Sequence, residues 1–244
     1  MSTKMLFYKN LAPLNKVRHA NWVMTGSNTF GFSKECNSVP LAAIEFPAAA
    51  KELTIVFAEN KESIVPIAIL GVRHGENVFV DDEGKWLANY VPAFVRRYPF
   101  VFSTEDDGKT LTLCVDEDCD FINAEGEGEK FFTEEGENSQ YLENVINFLQ
   151  EFQKHTRRSE AFCAKLKELD ILDPMAAKFK TPEGQEGTLN GFFVVSRDKL
   201  KGLPAEKLAE LAKTDELELI YQHIASMDNL NNVINKVKAT PKVN

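Results

Sequence analysis

Residues 137–152, Glu137-Asn138-Ser139-Gln140-Tyr141-Leu142-Glu143-Asn144-Val145-Ile146-Asn147-Phe148-Leu149-Gln150-Glu151-Phe152, mark a change of period in the chain. Tyr141, Val145, Phe148, Leu149 and Phe152 recur at the three-to-four spacing of one apolar helix face. Glu137-Asn138-Ser139 supplies oxygens that can cap the first turn. Beyond it, Phe162, Leu166 and Leu169 mark a shorter helix that stops before Asp173-Pro174. Thr188 to Ser196 returns to strand, and Pro204 to Lys213 and Leu217 to Val237 are again helical, the last with an apolar stripe from Ile220 to Val237. Upstream, the segments are short, rich in Val, Ile, Leu and Phe, and bounded by turn residues: Leu53 to Ala58, Ile64 to Leu70, Asn77 to Val80, Pro99 to Phe102 and Leu111 to Val115. Glu105-Asp106-Asp107-Gly108-Lys109 suits a hairpin connection, and Asp81-Asp82-Glu83-Gly84 a similar turn. Lys85 to Tyr98 can form a helix, but Pro92 would break or start it. Strands first and helices after predict an α+β fold: a strand-rich N-terminal part with an antiparallel sheet, 1–137, and a helix-rich part, 138–244, packed as one compact unit.

The chain has 244 residues, enough for a properly buried core, and its 28 basic and 37 acidic side chains leave a net charge of −9. No basic stripe offsets that balance, which argues against nucleic acid as a partner, because nonspecific affinity comes from Lys and Arg neutralising phosphates. Eighteen Phe argue against disorder. The acidity is concentrated: Glu105 to Glu137 holds 13 acidic and 2 basic residues. Within it, Asn123 to Glu129 reads as a solvated acidic loop, with a calcium site or a dock for a basic partner as the sharper alternatives. The N-terminal Met1 to Asn10 lacks the apolar core of a secretory signal, and no stretch nears the roughly 20 apolar residues of a membrane span. The expected compartment is cytoplasmic, with leaderless export to the surface as the alternative. Cys36, Cys114, Cys119 and Cys163 are too few and scattered for a disulfide framework, and the Cys114–Cys119 spacing is loose for zinc. No metal or other cofactor is expected.

Catalytic templates are absent: no phosphate loop, no nucleophile elbow, no zinc helix. His74-Gly75-Glu76 matches the start of a two-His-one-carboxylate iron site, a three-letter coincidence in an apparent turn. The chain therefore leans away from being an enzyme. The densest cluster of recognition-type side chains is Trp86 to Phe100. Here Trp86, Tyr90 and Tyr98 offer flat contact area and Arg96 or Arg97 can hold an anionic group. The bland alternative packs the rings internally and pairs an arginine with an acidic neighbour such as Glu45. On a helix the two arginines diverge by about 100°, so they would not serve one anion together. His223, on or beside the apolar stripe of the last helix, reads first as a hydrogen-bonded core group and second as a ligand-binding residue. His19 follows Lys16 and Arg18, which disfavour its protonated form if they lie close.

Glu45-Phe46-Pro47, Ile69-Leu70-Gly71, Glu76-Asn77-Val78-Phe79-Val80, Gly84-Lys85-Trp86, Tyr90-Val91-Pro92-Ala93-Phe94-Val95-Arg96-Arg97-Tyr98-Pro99-Phe100 and Cys114-Val115-Asp116-Glu117 follow one another in this order. Leu189-Asn190-Gly191-Phe192 and Tyr221-Gln222-His223-Ile224-Ala225-Ser226 come later. Together they resemble the SapC family of bacterial proteins over nearly the whole chain. The family's name comes from surface-layer loci, so the resemblance implies an envelope connection but brings no catalytic residues. Similar proteins are encoded near iron- and 2-oxoglutarate-dependent oxygenases, flavin halogenases and outer-membrane receptors, which implies an accessory role in peptide modification or uptake. The expected function is thus a non-enzymatic binding or accessory protein for a peptide, protein or small anionic ligand, with an oxygenase, a halogenase or a second copy of the chain as further partners. A structural surface-layer component is one alternative. An iron-dependent oxygenase using His74, Glu76 and a distant histidine is another.

Overall fold

The computed structural model describes residues 6–26, 29–60, 63–104, 111–124 and 126–237. The first described half holds β1 (Leu11–Pro13), β2 (Val23–Met24), β3 (Ser38–Pro40), α1 (Phe46–Ala49), β4 (Thr54–Asn60) and β5 (Ser63–Ile69). It continues with α2 (Ala93–Arg96), β6 (Phe100–Thr104), β7 (Leu111–Asp116), β8 (Ile122–Asn123) and β9 (Glu129–Lys130). The remainder forms α3 (Gln140–Glu168), β10 (Leu172–Lys180), β11 (Glu186–Val195), α4 (Arg197–Lys201), α5 (Ala205–Lys213), α6 (Glu216–Ser226) and α7 (Leu230–Asn235). The class is α+β with antiparallel sheets, as the change of period predicts. The Glu105–Lys109 turn and the Thr240–Asn244 end lie outside the described residues. Among the described residues no helix is long and apolar enough to cross a membrane.

Several elements differ from expectation, each for a local reason. Asn77–Val80 is turn rather than strand, because the Asn77 side chain competes for backbone partners: it donates to Ser33 O (3.1 Å) and accepts from Phe79 N (2.9 Å). Of Lys85–Tyr98 only Ala93–Arg96 is helical, starting directly after Pro92. The helices expected at Tyr141 and Phe162 are one 29-residue helix. The Leu217–Val237 helix is broken at a 3-10 turn, Met227–Asn229, where the Asn229 side chain donates to Ala50 O (2.8 Å) and Leu53 O (3.1 Å). β10 goes unread in the sequence because Pro174 sits inside it; as an edge strand it can spare that N–H.

The chain divides into two compact units, each assembled from two stretches. The first comprises Met1–Thr29 and Val95–Gln153. Its sheets have the orders β1-β7-β6 and β8-β2-β9. Phe100, Val115, Phe131, Phe132, Leu142 and Leu149 form its core, with Tyr141, Val145 and Phe148 packed against them, so the apolar face of α3 does what its spacing predicts. β8 and β9 flank the Asn123–Glu129 acidic run and both pair with β2.

The second unit comprises Phe30–Phe94 and Lys154–Asn244 and holds the five-stranded sheet β10-β11-β4-β5-β3. Phe46, Phe57 and Phe162 meet ring to ring at its centre, all fully or almost fully buried. β4 and β5 pair along their whole length, whereas β11 meets β4 at the single register pair Phe193↔Phe57. Carried on by two residues, that register would pair Val195 with Ile55. Instead the imidazole of His223, from α6, stands between them. Its Nε2 accepts from Val195 N (3.0 Å), and its Nδ1 lies 2.8 Å from Ile55 O. Nδ1 therefore carries the proton. Ser226, one turn on, accepts from Ile55 N through Oγ (3.0 Å) and donates to His223 O (2.7 Å). Two side chains of α6 thus replace ladder bonds that the diverging strands cannot make with each other.

Burial depresses the His223 imidazole from its ordinary 6.5 to about 4, the hydrogen bond to Ile55 O pulling weakly the other way. The unfolded chain therefore binds this proton first on acidification. Stability is full above pH 6.5 and declines as pH falls towards 4, by about 3 kcal/mol in all. Urea denaturation should show that decline already above about pH 5, where most carboxylates remain ionised. His223→Gln, which keeps a donor and an acceptor but does not titrate, should be flat over that range.

Candidate functional site

The Trp86–Phe100 segment begins at a turn that the sequence builds with one carboxylate. Asp81 accepts from the backbone N of Glu83 (3.0 Å) and of Lys85 (2.8 Å), bringing the chain back so that Val80 bridges Trp86 and Leu87 N donates to Phe79 O (2.8 Å). The Trp86 indole stacks on Phe79 with centroids 6.0 Å apart and is only 7% exposed. Its Nε1 donates to Tyr90 O (2.9 Å).

The Tyr90 hydroxyl in turn donates to Glu45 Oε1 (2.6 Å). That oxygen also accepts from Ala93 N (2.7 Å), and Oε2 accepts from Ala42 N (2.8 Å). Glu45 is 5% exposed, so three donors replace the water its charge has lost. The acidic neighbour that the sequence offers to an arginine is thus occupied by a tyrosine and two amides.

This framework borders a cleft of about 750 Å³, within the usual range for small-ligand sites. Phe79 and Trp86 line its apolar side, and Leu87 adds a side chain left 44% exposed. Glu52 is tied down by Asn89, accepting from its backbone N (2.6 Å) and its Nδ2. Three lysines from distant parts of the sequence also line the cleft: Lys51 after α1, Lys85 in the turn and Lys236 at the end of α7. All three are exposed, and among the described residues none forms an ion pair; Lys236 Nζ stands 5.2 Å from the Phe79 ring centroid. Among the described residues, three ammonium groups against one carboxylate give the lining a net charge of +2 in a chain of net charge −9.

The remaining expected site residues have other surroundings. Trp86, Tyr90 and His223 fall in the second unit, and Arg96, Arg97 and Tyr98 in the first. His223 is fully buried with both nitrogens engaged. The helix α2 ends at Arg96, and the adjacent arginines sit over rings one turn apart on α3. Arg96 is exposed with its guanidinium 5.2 Å from the Phe148 ring centroid; Arg97 is half-buried against the rings of Tyr8 (5.9 Å) and Phe152 (5.5 Å). Burial lowers the Arg97 pKa and pushes the Tyr8 phenol up to about 12. The Tyr98 hydroxyl donates to Asp116 Oδ2 (3.1 Å), a carboxylate with no solvent exposure that also accepts from Lys9 N and Asn10 N. Burial raises the Tyr98 phenol as well.

His19 is fully buried too: Nδ1 accepts from Asn15 N (2.9 Å) and Nε2 faces Glu117 (3.0 Å), whose other oxygen meets Arg18 at 2.5 Å. Glu76 lies 3.6 Å from Arg73, and among the described residues no three His, Cys, Asp or Glu side chains converge as a metal set. Reading the sequence misses Lys51, Lys85 and Lys236 as a group. No local spacing joins positions 51, 85 and 236, and each alone looks like an ordinary surface lysine.

A family model described as SapC matches residues 14–233. No curated protein and no solved structure matches the chain.

Removing the Glu45 carboxylate strands two buried backbone N–H groups and the Tyr90 hydroxyl. Glu45→Ala should therefore cost about 3 kcal/mol of unfolding free energy, and Tyr90→Phe about 1 kcal/mol. Arg96→Ala, at an exposed position, should cost about 0.5 kcal/mol or less. Chemical denaturation of the three variants, with unchanged circular dichroism for Arg96→Ala, checks this ranking.

Proposed function

The chain belongs to the SapC family, and on that premise we propose that it is a non-enzymatic binding protein that takes an anionic ligand, a small molecule or a peptide end, in the cleft beside Trp86. The observation that carries this reading is the three exposed lysines around a cleft that also exposes Leu87 and a small part of Trp86, on a molecule whose overall charge is negative. A local positive region on an acidic surface concentrates anions at one place and repels them elsewhere. Trp86, held by Phe79 and by the carbonyl of Tyr90, gives the ligand's apolar part a rigid surface, and Leu87 gives it a more adaptable one.

Of the residues expected from the sequence, Trp86 belongs to this site directly and Tyr90 supports it through Glu45. His223 we assign to the sheet, and Arg97 to packing between Tyr8 and Phe152. Arg96, exposed on α2, is a second candidate contact for an anion, outside the cleft. The surface-layer and peptide-modification setting implied by the family fits an accessory protein that holds a ligand for another component.

The test uses 8-anilinonaphthalene-1-sulfonate, an aromatic anion whose fluorescence rises in apolar surroundings. Saturable binding with one site per chain is expected, weakening as salt is raised. The triple variant Lys51→Gln, Lys85→Gln, Lys236→Gln should bind about tenfold more weakly or worse. Lys178→Gln with Lys180→Gln, on the exposed face of β10, should bind normally. Equal binding by all three proteins would overturn the assignment of the cleft.

A further inference from the structure

Resting on that cleft reading, we infer that the ligand's charged group is a dianion, and specifically a phosphomonoester carried on an apolar group. The first argument is charge balance. Lys51, Lys85 and Lys236 outnumber Glu52, and both oxygens of Glu52 are already hydrogen-bonded to Asn89. A carboxylate would leave the lining with an uncompensated positive charge, whereas a dianion neutralises it. The second argument is the chemistry of the donors. The positive charges are lysines, compact ammonium groups on flexible stems, and among the described residues no arginine lines the cleft. A planar carboxylate is best matched by the two-pronged guanidinium, whereas separate point charges can approach a tetrahedral phosphate from several sides. Carboxamides at Asn232 and Asn235 add neutral donors to the same lining. The third argument is room. About 750 Å³ is far more than a bare tetrahedral anion fills, and the surplus is bordered by the 44% exposed side chain of Leu87 and the small exposed part of Trp86. Inorganic phosphate alone would use the lysines and leave Leu87 wet.

Four probes test the inference, followed by calorimetry and by tryptophan fluorescence. Phenyl phosphate carries the dianion and the ring. Phenyl methyl phosphate keeps the ring and the tetrahedral centre with one charge fewer, benzoate keeps the ring with a planar monoanion, and inorganic phosphate lacks the ring. Phenyl phosphate should bind about tenfold or more tightly than each of the others, the worth of one further charge contact or of an aromatic contact. In the triple Lys→Gln variant the preference over the two aromatic monoanions should disappear.

If the three aromatic anions bind alike and all depend on the lysines, the dianion inference falls while the cleft reading stands. If no probe binds, or if binding ignores the lysine substitutions, both fall. If inorganic phosphate matches phenyl phosphate, the apolar carrier is wrong. A capped phosphotyrosine tripeptide run in parallel separates the two sources of such an ester. Binding at least as tight as phenyl phosphate supports a peptide-borne group, and weaker binding supports a free small molecule.

Discussion

A single imidazole sets the geometry of the larger sheet. Strands β4 and β11 share one register pair and then part, which would leave the N–H of Val195 and both polar groups of Ile55 buried and unmet. Each such group costs on the order of 1–3 kcal/mol if it finds no partner. His223 has one donor and one acceptor on opposite sides of a flat ring, the shape needed to stand between two backbones. Ser226 takes the remaining N–H. Phe57 packs beside the imidazole at 4.8 Å, so the polar spacer is embedded in the aromatic centre of the unit rather than at its edge. With α6 fixed to the sheet in this way, the 3-10 turn and α7 follow directly in the chain and deliver Asn232, Asn235 and Lys236 to the cleft.

Glu45 does the same for the opposite wall. Its carboxylate joins the turn at Ala42 to the segment Tyr90–Ala93, and through Tyr90 to the indole of Trp86. Much of what makes the sequence resemble its family is thus a set of buried polar connections. Glu45 begins Glu45-Phe46-Pro47, Tyr90 begins the stretch that runs to Phe100, and His223 and Ser226 lie in the stretch from Tyr221 to Ser226. Gly71 and Gly191 fit the same pattern. A Cβ on Gly71 would collide with the carbonyl of Glu76, and Gly191 sits at φ +82° in the strand that faces the Met175/Ala177 irregularity. These residues specify a backbone path.

That explains what could be read in advance. Periodicity gives the long strands and α3, because each buries a regular apolar face. It fails where side-chain amides override the backbone, at Asn77 and Asn229, and where a proline sits harmlessly on a sheet edge, at Pro174. For the proposed site, aromatic density around Trp86 draws attention to the segment that borders the cleft, since large rings cluster where something must be packed or held. Arg97 is harder to read, because a guanidinium set against two rings looks the same in one dimension as one facing a ligand. The lysines are invisible for the opposite reason: they converge through tertiary structure alone.

Both units draw on separated stretches of chain, and this orders their assembly during synthesis. β1 has no partner until β7, about a hundred residues later, has left the ribosome. The β4–β5 hairpin can form early, but the amide of Ile55 waits for Ser226, close to the end of the chain. The first hydrophobic centre can therefore close only once the chain has reached Gln153, and the second only when nearly the whole polypeptide is made, so a nascent chain halted early would expose its phenylalanines to whatever holdase or protease meets it first.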